Sequence, residues 1–258
     1  MEKRTVIGAQ VSSLKPYIQT EKEMRRTFCR LAQMGYRDVQ LQWIEPEIEP
    51  EVIADALMEA GLTGVSTQDY YEVVRERMAY FLKLNDLCRS KYVCVSGIPL
   101  EYLSYEGCRA FGRELAELTK RLEAEGKILS FHPRAQEFAV FGSRTAVEIL
   151  LEESHEPFQI CLDLYHVQKA GQSMGDWVRK LAGRMDMVHF KDYVNCEDGT
   201  QALVPVGQGC IDWTEAVAAC RETQVPWVFA EQESWGKDAF LCMEESREWM
   251  EREFSAEK

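Results

Sequence analysis

Short apolar runs alternate along the chain with longer stretches of helical periodicity. Eight runs read as strands: Val6 to Ser13, Asp38 to Trp43, Thr63 to Asp69, Tyr92 to Gly97, Lys127 to His132, Phe158 to His166, Met185 to Asp192 and Trp227 to Glu233. Between them lie amphipathic helices. EKEMRRTFCRLAQMG puts Met24, Phe28, Leu31 and Met34 on one stripe and stops at Gly35; two later helical runs stop in the same way at Gly61 and Gly126. Strands and helices in strict alternation predict a parallel β/α architecture. Eight such units in about 250 residues predict a (β/α)8 barrel rather than an open doubly wound sheet. No Gly/Ser/Pro-rich linker interrupts the chain, so residues 1–258 are expected to form one domain.

Strands of a parallel barrel are buried on both faces, so they should be apolar throughout. Here nearly every one ends polar: Gln10, Gln42, Gln68 or Asp69, Ser96, His132, Asp163, His189 and Glu231. Active sites of such barrels sit at that C-terminal face. The alternation of side chains assigns faces. Ile160, Leu162 and Leu164 share the helix-facing side of the sixth strand and leave Asp163 inside. Val188 and Phe190 face out in the seventh, leaving His189 and Lys191 inside. Glu231 and His132 face inward in the eighth and fifth.

Taken singly, each has a plainer reading: His132 as a hydrogen-bonded core histidine, Asp163 as a helix cap, Glu231 as an ion-pair partner of Lys191 or Arg134. Taken together, two imidazoles and two carboxylates converging on one spot suit a divalent cation, and the mixed N/O set favours Mn²⁺, Zn²⁺, Co²⁺ or Fe²⁺ over Ca²⁺ or Mg²⁺.

Charge and cysteines narrow the classes. A net charge of −13 argues against a nucleic-acid surface, which needs a basic stripe. No apolar run is long enough for a bilayer, and the chain enters its first strand without a signal-peptide pattern. Nine scattered cysteines without a C-x-x-C pair read as reduced thiols in a cytoplasmic protein. No G-x-G-x-x-G or Walker loop follows the first strand. Gly207 and Gly209 could offer backbone N–H groups to a phosphate, but no basic cluster accompanies them. This favours a simple turn there, and a free sugar or glycoside over a sugar phosphate.

Several motifs carry a resemblance. DLYHVQKAG resembles the D-x-x-H-x-x-x-A-G run of the sugar phosphate isomerase/epimerase family with a xylose isomerase-like barrel. HFKD resembles its H-x-K-D strand, VPVGQGCIDW its G-x-G-x-I-D-W turn, and VFAEQE its closing V-x-x-E-Q-D. SFHPRAQEF is similar to the Y-H-N-H-x-x-E-F run of one branch. The resemblance implies one metal held by His132, Asp163, His189 and Glu231. It implies substrate contacts from His166, and supporting or substrate roles for Lys191 and Glu137. It also implies dimers or tetramers. Pro133 and Arg134 depart from the branch pattern, and the first ligand is His132 where epimerase branches carry a glutamate. With two carboxylates rather than three, a dication leaves the site about neutral, which favours an enediolate by simple Coulomb reasoning.

The expected function is a metal-dependent sugar isomerase or epimerase. Glu231 removes a proton α to a carbonyl through a metal-stabilised enediolate, Mn²⁺ being the preferred ion, and His166 or Glu137 serves as a second acid. Gln10, Gln42, Trp43, Arg134 and Lys191 are the expected substrate contacts; Trp43 reads equally well as a loop-to-core anchor. The alternative is a lyase that cleaves 3-keto sugar glycosides by β-elimination. An endonuclease and a non-catalytic sugar-binding barrel are further classes, the first opposed by the acidic charge.

Overall fold

Alternation along each strand divides the apolar side chains into two layers. In the computed structural model, which describes residues 5–154 and 157–255, eight parallel strands close into a barrel. They are β1 (Val6–Gln10), β2 (Asp38–Gln42), β3 (Thr63–Tyr70), β4 (Tyr92–Ser96), β5 (Ile128–His132), β6 (Gln159–Asp163), β7 (Met187–Phe190) and β8 (Trp227–Ala230). Each pairs with its sequence neighbours, and β1 closes the ring on β8 with Val6 opposite Trp227. Val39, Leu41, Val93, Val95, Ile160 and Leu162 belong to the large apolar layer under the helices. Val65, Cys94, Cys161, Met187 and Phe229 form a separate plug. A Cβ on Gly8 would stand 2.5 Å from the Phe229 ring, so only glycine leaves room for that ring.

Ten α-helices cover the described barrel: α1 (Glu21–Gln33), α2 (Pro50–Ala60), α3 (Tyr71–Glu76), α4 (Met78–Leu87), α5 (Tyr105–Ala124), α6 (Ala146–Ser154), α7 (Leu164–Lys169), α8 (Met174–Lys180), α9 (Thr214–Glu222) and α10 (Ala239–Ser255). Thr20 caps α1 and Ser104 caps α5 through side-chain oxygens. Gly35, Gly61 and Gly126 all take positive φ just past their helices, as their positions predict. None of the described helices is long and apolar enough to cross a membrane.

Several strands stop earlier than their apolar runs. β1 ends at Gln10, whose side chain accepts the Ser12 N–H and starts a 3-10 turn over Val11–Tyr17. Ser13 then accepts the Gln232 N–H at 2.9 Å, which ties the ends of β1 and β8. β6 ends at Asp163 instead of running to His166, because Asp163 Oδ1 accepts the N–H of Tyr165 and His166 and turns the chain into α7. β7 shortens to Phe190. Beyond it, Asp192–Asn195 pairs antiparallel with Gln201–Val204 in a rim ribbon that strand periodicity does not announce.

Asp192 anchors that ribbon. One carboxylate oxygen accepts N–H bonds from Tyr193 and Ile211, and the other from Gly207, Gly209 and the Trp213 indole, at 2.8 to 3.3 Å. The glycines therefore form a turn, as expected: their N–H groups are already taken. A Cβ on Gly209 would stand 2.1 Å from Asp192 Oδ1. Asp192→Ala leaves all five donors without this acceptor, those of the buried Ile211 and Trp213 included, and we expect it to lower unfolding stability by about 3 kcal/mol in urea titrations. Asp192→Asn should lose nearly as much, because an amide nitrogen faces donors where an oxygen stood.

Candidate metal centre

The barrel supplies two kinds of polar residue from its two halves. Gln10, Gln40 and Gln68, on β1 to β3, form a hydrogen-bonded belt: Gln10 Nε2 donates to both Gln40 Oε1 and Gln68 Oε1, at 3.1 and 3.3 Å. Opposite them stand His132, Asp163 and His189 at the ends of β5, β6 and the middle of β7, and Glu231 just past β8. One donor atom from each of the four lies within 4.8 Å of all the others, and all four residues are buried.

The plainer readings and the metal reading hold together, divided by atom. Asp163 Oδ1 caps α7. Its Oδ2 is buried without a hydrogen-bond partner, as is His132 Nε2, 3.7 Å away. Glu231 meets Lys191 Nζ at 3.3 Å and also His189 Nδ1 at 2.9 Å. The His189 contact is informative. Its Nε2 lies 2.5 Å from Gln40 Oε1, which also accepts from Gln10, while Gln40 Nε2 faces Ser66 Oγ. This network assigns the proton to Nε2. Nδ1 then turns a lone pair toward a carboxylate oxygen, a contact that requires positive charge between them. Burial holds His189 below the usual histidine range against the pull of Glu231, so a second proton is disfavoured and a cation fits. Bonds of about 2.0–2.2 Å to one ion separate ligand atoms by up to about 4.4 Å, so small shifts close the cluster around it.

The surrounding charges are strongly coupled. Burial alone would raise the Glu231 carboxyl, but Lys191 and His189 outweigh it and bring it to about 2. Asp163 is likewise held well below the carboxylate range, with Lys191 and His166 overcoming burial. Lys191 is buried yet stays charged, because Glu231, Asp163 and Glu233 overcome its desolvation. Its shortest ion pair, 2.8 Å, is with Glu233. The Lys191 and Glu233 charges cancel, so a dication against Asp163 and Glu231 leaves the whole group neutral. Burial, with Lys191 and His132, drives His166 to about 4, a neutral imidazole at physiological pH.

A cleft of about 370 Å³ opens above the cluster. Gln42, Trp43, His132, Arg134, His166, Lys191 and Glu231 all line it. Trp43 does so at positive φ (58°), a strained setting for a bulky residue, with Lys15 Nζ 4.9 Å from its ring. Two expected residues lie elsewhere. Gln10 sits in the glutamine belt. Glu137 is buried off the cleft, with its oxygens accepting the backbone N–H of Ile98 and Arg134 at 2.7 Å each. Four residues that the strand-end pattern passed over complete the site. Gln40 orients His189, and Tyr165, Lys169 and Glu233 line the cleft. Gln40 and Glu233 were discoverable, since each sits two residues from a selected side chain in the same phase. Tyr165 was hidden because its segment reads as strand, and Lys169 lies beyond the end of that strand reading at His166.

The family model described as "Xylose isomerase-like TIM barrel" matches residues 28–253. No curated protein matches the chain. Among solved structures, a sugar phosphate isomerase/epimerase from Parabacteroides distasonis ATCC 8503 is similar at TM-score 0.78 and 15% identity, over 97% of this chain and 94% of that one. An L-ribulose 3-epimerase is similar at 0.77 and 15%, over 97% and 95%. A probable 3-DHS dehydratase from Bacillus anthracis is similar at 0.71 and 14%, over 95% and 98%.

Gln40 gives a test of the centre that touches no ligand atom. Gln40→Leu removes the acceptor that fixes the His189 tautomer. We expect about 10-fold or more loss of Mn²⁺ or Zn²⁺ affinity by calorimetry, with little change in the far-ultraviolet circular dichroism. Unchanged affinity would remove Gln40 from this role.

Proposed function

Because the chain belongs to the xylose isomerase-like TIM barrel family, we propose that it is a divalent-metal-dependent sugar isomerase or epimerase working by proton abstraction α to a carbonyl. The observation that carries this reading is that Glu231 both belongs to the donor cluster and lines the cleft. A divalent ion held by His132, Asp163, His189 and Glu231, Mn²⁺ by preference, supplies Lewis-acid polarisation of adjacent sugar oxygens.

The chain's own groups do the rest. Glu231 is ionised across the physiological range and takes the α-proton. A carboxylate brought to about 2 is a weak base, so the α-carbon must be made acidic by positive charge beside it. Lys191, 3.3 Å from Glu231, keeps an ammonium there. His166 is neutral and offers an imidazole to the developing enediolate oxygen, where a preorganised donor is worth more than water. Gln42 and Trp43 orient the sugar. Return of the proton to the neighbouring carbon isomerises the sugar, and return to the opposite face epimerises it. That return needs a second acid. Glu137 has both oxygens committed to backbone amides. Glu233 lines the cleft and its carboxylate meets the Lys191 ammonium at 2.8 Å, so we assign the returning proton to the Lys191–Glu233 pair.

The lyase reading has its own support. Abstraction of the same proton from a 3-keto glycoside expels the β-substituent without a second carbon acid, and one similar structure is described as a probable dehydratase.

In D₂O, protein loaded with Mn²⁺ should exchange the α-proton of a ketose substrate, read by proton NMR across a ketose panel. Glu231→Gln should slow exchange by about 10²–10⁴-fold. Glu233→Gln should leave exchange measurable while suppressing net epimerisation. Elemental analysis should give about one divalent ion per chain, as a single-ion Lewis-acid site requires, and Asp163→Asn should lose it. Release of an aglycone from a 3-keto glycoside, without isomerised product, would select the lyase reading instead.

A further inference from the structure

Deep in the cleft each charge has a partner: Lys191 meets Asp163, Glu231 and Glu233. The balance changes toward the opening. Arg134 and Lys169 line the same cleft, and among the described residues neither forms an ion pair with a carboxylate. The chain has 43 Asp and Glu against 30 Lys and Arg, so acidic partners are abundant elsewhere. Two unpaired cations at one opening make a local positive field in a protein that otherwise repels anions.

Arg134 is held in place by three separate devices. Glu137 Oε2 accepts its backbone N–H at 2.7 Å, while the other oxygen of Glu137 holds Ile98 in the loop after β4. Beneath the guanidinium lies Gly97 at φ +69, where a Cβ would stand 2.0 Å from Nη2 and 2.4 Å from Nε. The Tyr70 ring lies 5.5 Å from Cζ. So seated, Arg134 keeps a buried Nε with no hydrogen-bond partner. Among the described residues, the Lys169 ammonium hydrogen-bonds only to the Tyr165 hydroxyl, at 3.3 Å. The two cations share one sector of the rim. Arg134 follows His132 by two residues and Lys169 follows His166 by three, and those two imidazole rings are 6.0 Å apart.

We propose that the substrate carries an anionic substituent, a carboxylate or a phosphate, which seats on the Arg134 guanidinium with Lys169 at the rim. The inference rests on the cleft being the substrate site of the proposed enzyme. A guanidinium matches either anion through its planar fork and is always charged. This departs from the expectation of a free sugar or glycoside over a sugar phosphate, which was drawn from the lack of a basic cluster at the Gly207–Gly209 turn. The basic residues are on the opposite side of the motif order, after β5 and β6. Glu137 becomes a positioning residue for Arg134.

Binding tests this independently of turnover. Mn²⁺-loaded protein is titrated by calorimetry with inorganic phosphate, with D-gluconate, and with the neutral polyol D-glucitol. At least one anion should bind saturably, with a dissociation constant on the order of millimolar, and more tightly than glucitol. Arg134→Met should weaken it by about 10-fold or more, Arg134→Lys less, and Lys169→Gln by a few-fold with reduced salt dependence. The preferred anion identifies the substituent as phosphate or carboxylate. No saturable binding of either anion overturns the proposal. So does binding that is unchanged in both folded Arg134 variants. Failed α-proton exchange with intact Arg134-dependent anion binding would instead sink the isomerase reading and leave this subsite standing.

Discussion

Two carboxylates withdrawn from water at the end of a barrel must meet positive charge, and much of the molecule's polar interior is arranged around that requirement. Desolvating Asp163 and Glu231 opposes their ionisation. Lys191 supplies one compensating charge, but its ammonium is shared with Glu233. The remaining imbalance falls on the spot where, among the described residues, His132 Nε2 and Asp163 Oδ2 have no hydrogen-bond partner. The glutamine belt, the tautomer of His189 and the shape of the donor set are all explicable as preparation of that spot for a cation.

The barrel was legible because each of its eight strand runs is followed by a stretch of helical period. The inward phase of His132, Asp163, His189 and Glu231 was legible for the same reason: Ile160, Leu162, Val188 and Phe190 mark the outward face unambiguously. What escaped was decided by hydrogen bonds that hydrophobic pattern does not encode. Asp163 stops β6 because its side chain bonds the next turn, and Leu164, Tyr165 and Val167 remain buried in α7 much as a strand would bury them. The rim ribbon beyond β7 depends on Asp192, whose partners lie fifteen to twenty-one residues ahead. Glu137 looked catalytic from its motif position, yet its carboxylate is spent on two backbone amides.

Asp163 divides its two oxygens between two duties. A carboxylate has two oxygens, and this one uses Oδ1 for the helix and Oδ2 for the cluster. Capping orients the group, which keeps Oδ2 aimed inward toward Lys191 and the imidazoles of His132 and His166. Structural and chemical roles here reinforce each other within one side chain. Glu231 behaves alike, with Ser12 on one oxygen and His189 and Lys191 on the other.

Lys191 and Asp192 are adjacent in sequence and have different partners: one ammonium meets Asp163, Glu231 and Glu233 in the mouth of the barrel, and the next carboxylate pins a surface ribbon at its base. Since the pinning contacts are to Tyr193, Gly207, Gly209, Ile211 and Trp213, the tip between Cys196 and Thr200 bears none of that load. Gln201 and Leu203 from the same ribbon form part of the cleft wall. The arrangement separates the mount of the ribbon from the part of it that walls the cleft. Sequence change in the outer ribbon can reshape the cleft wall while the lysine beneath it keeps its position, so the wall and the buried charge cluster can vary separately.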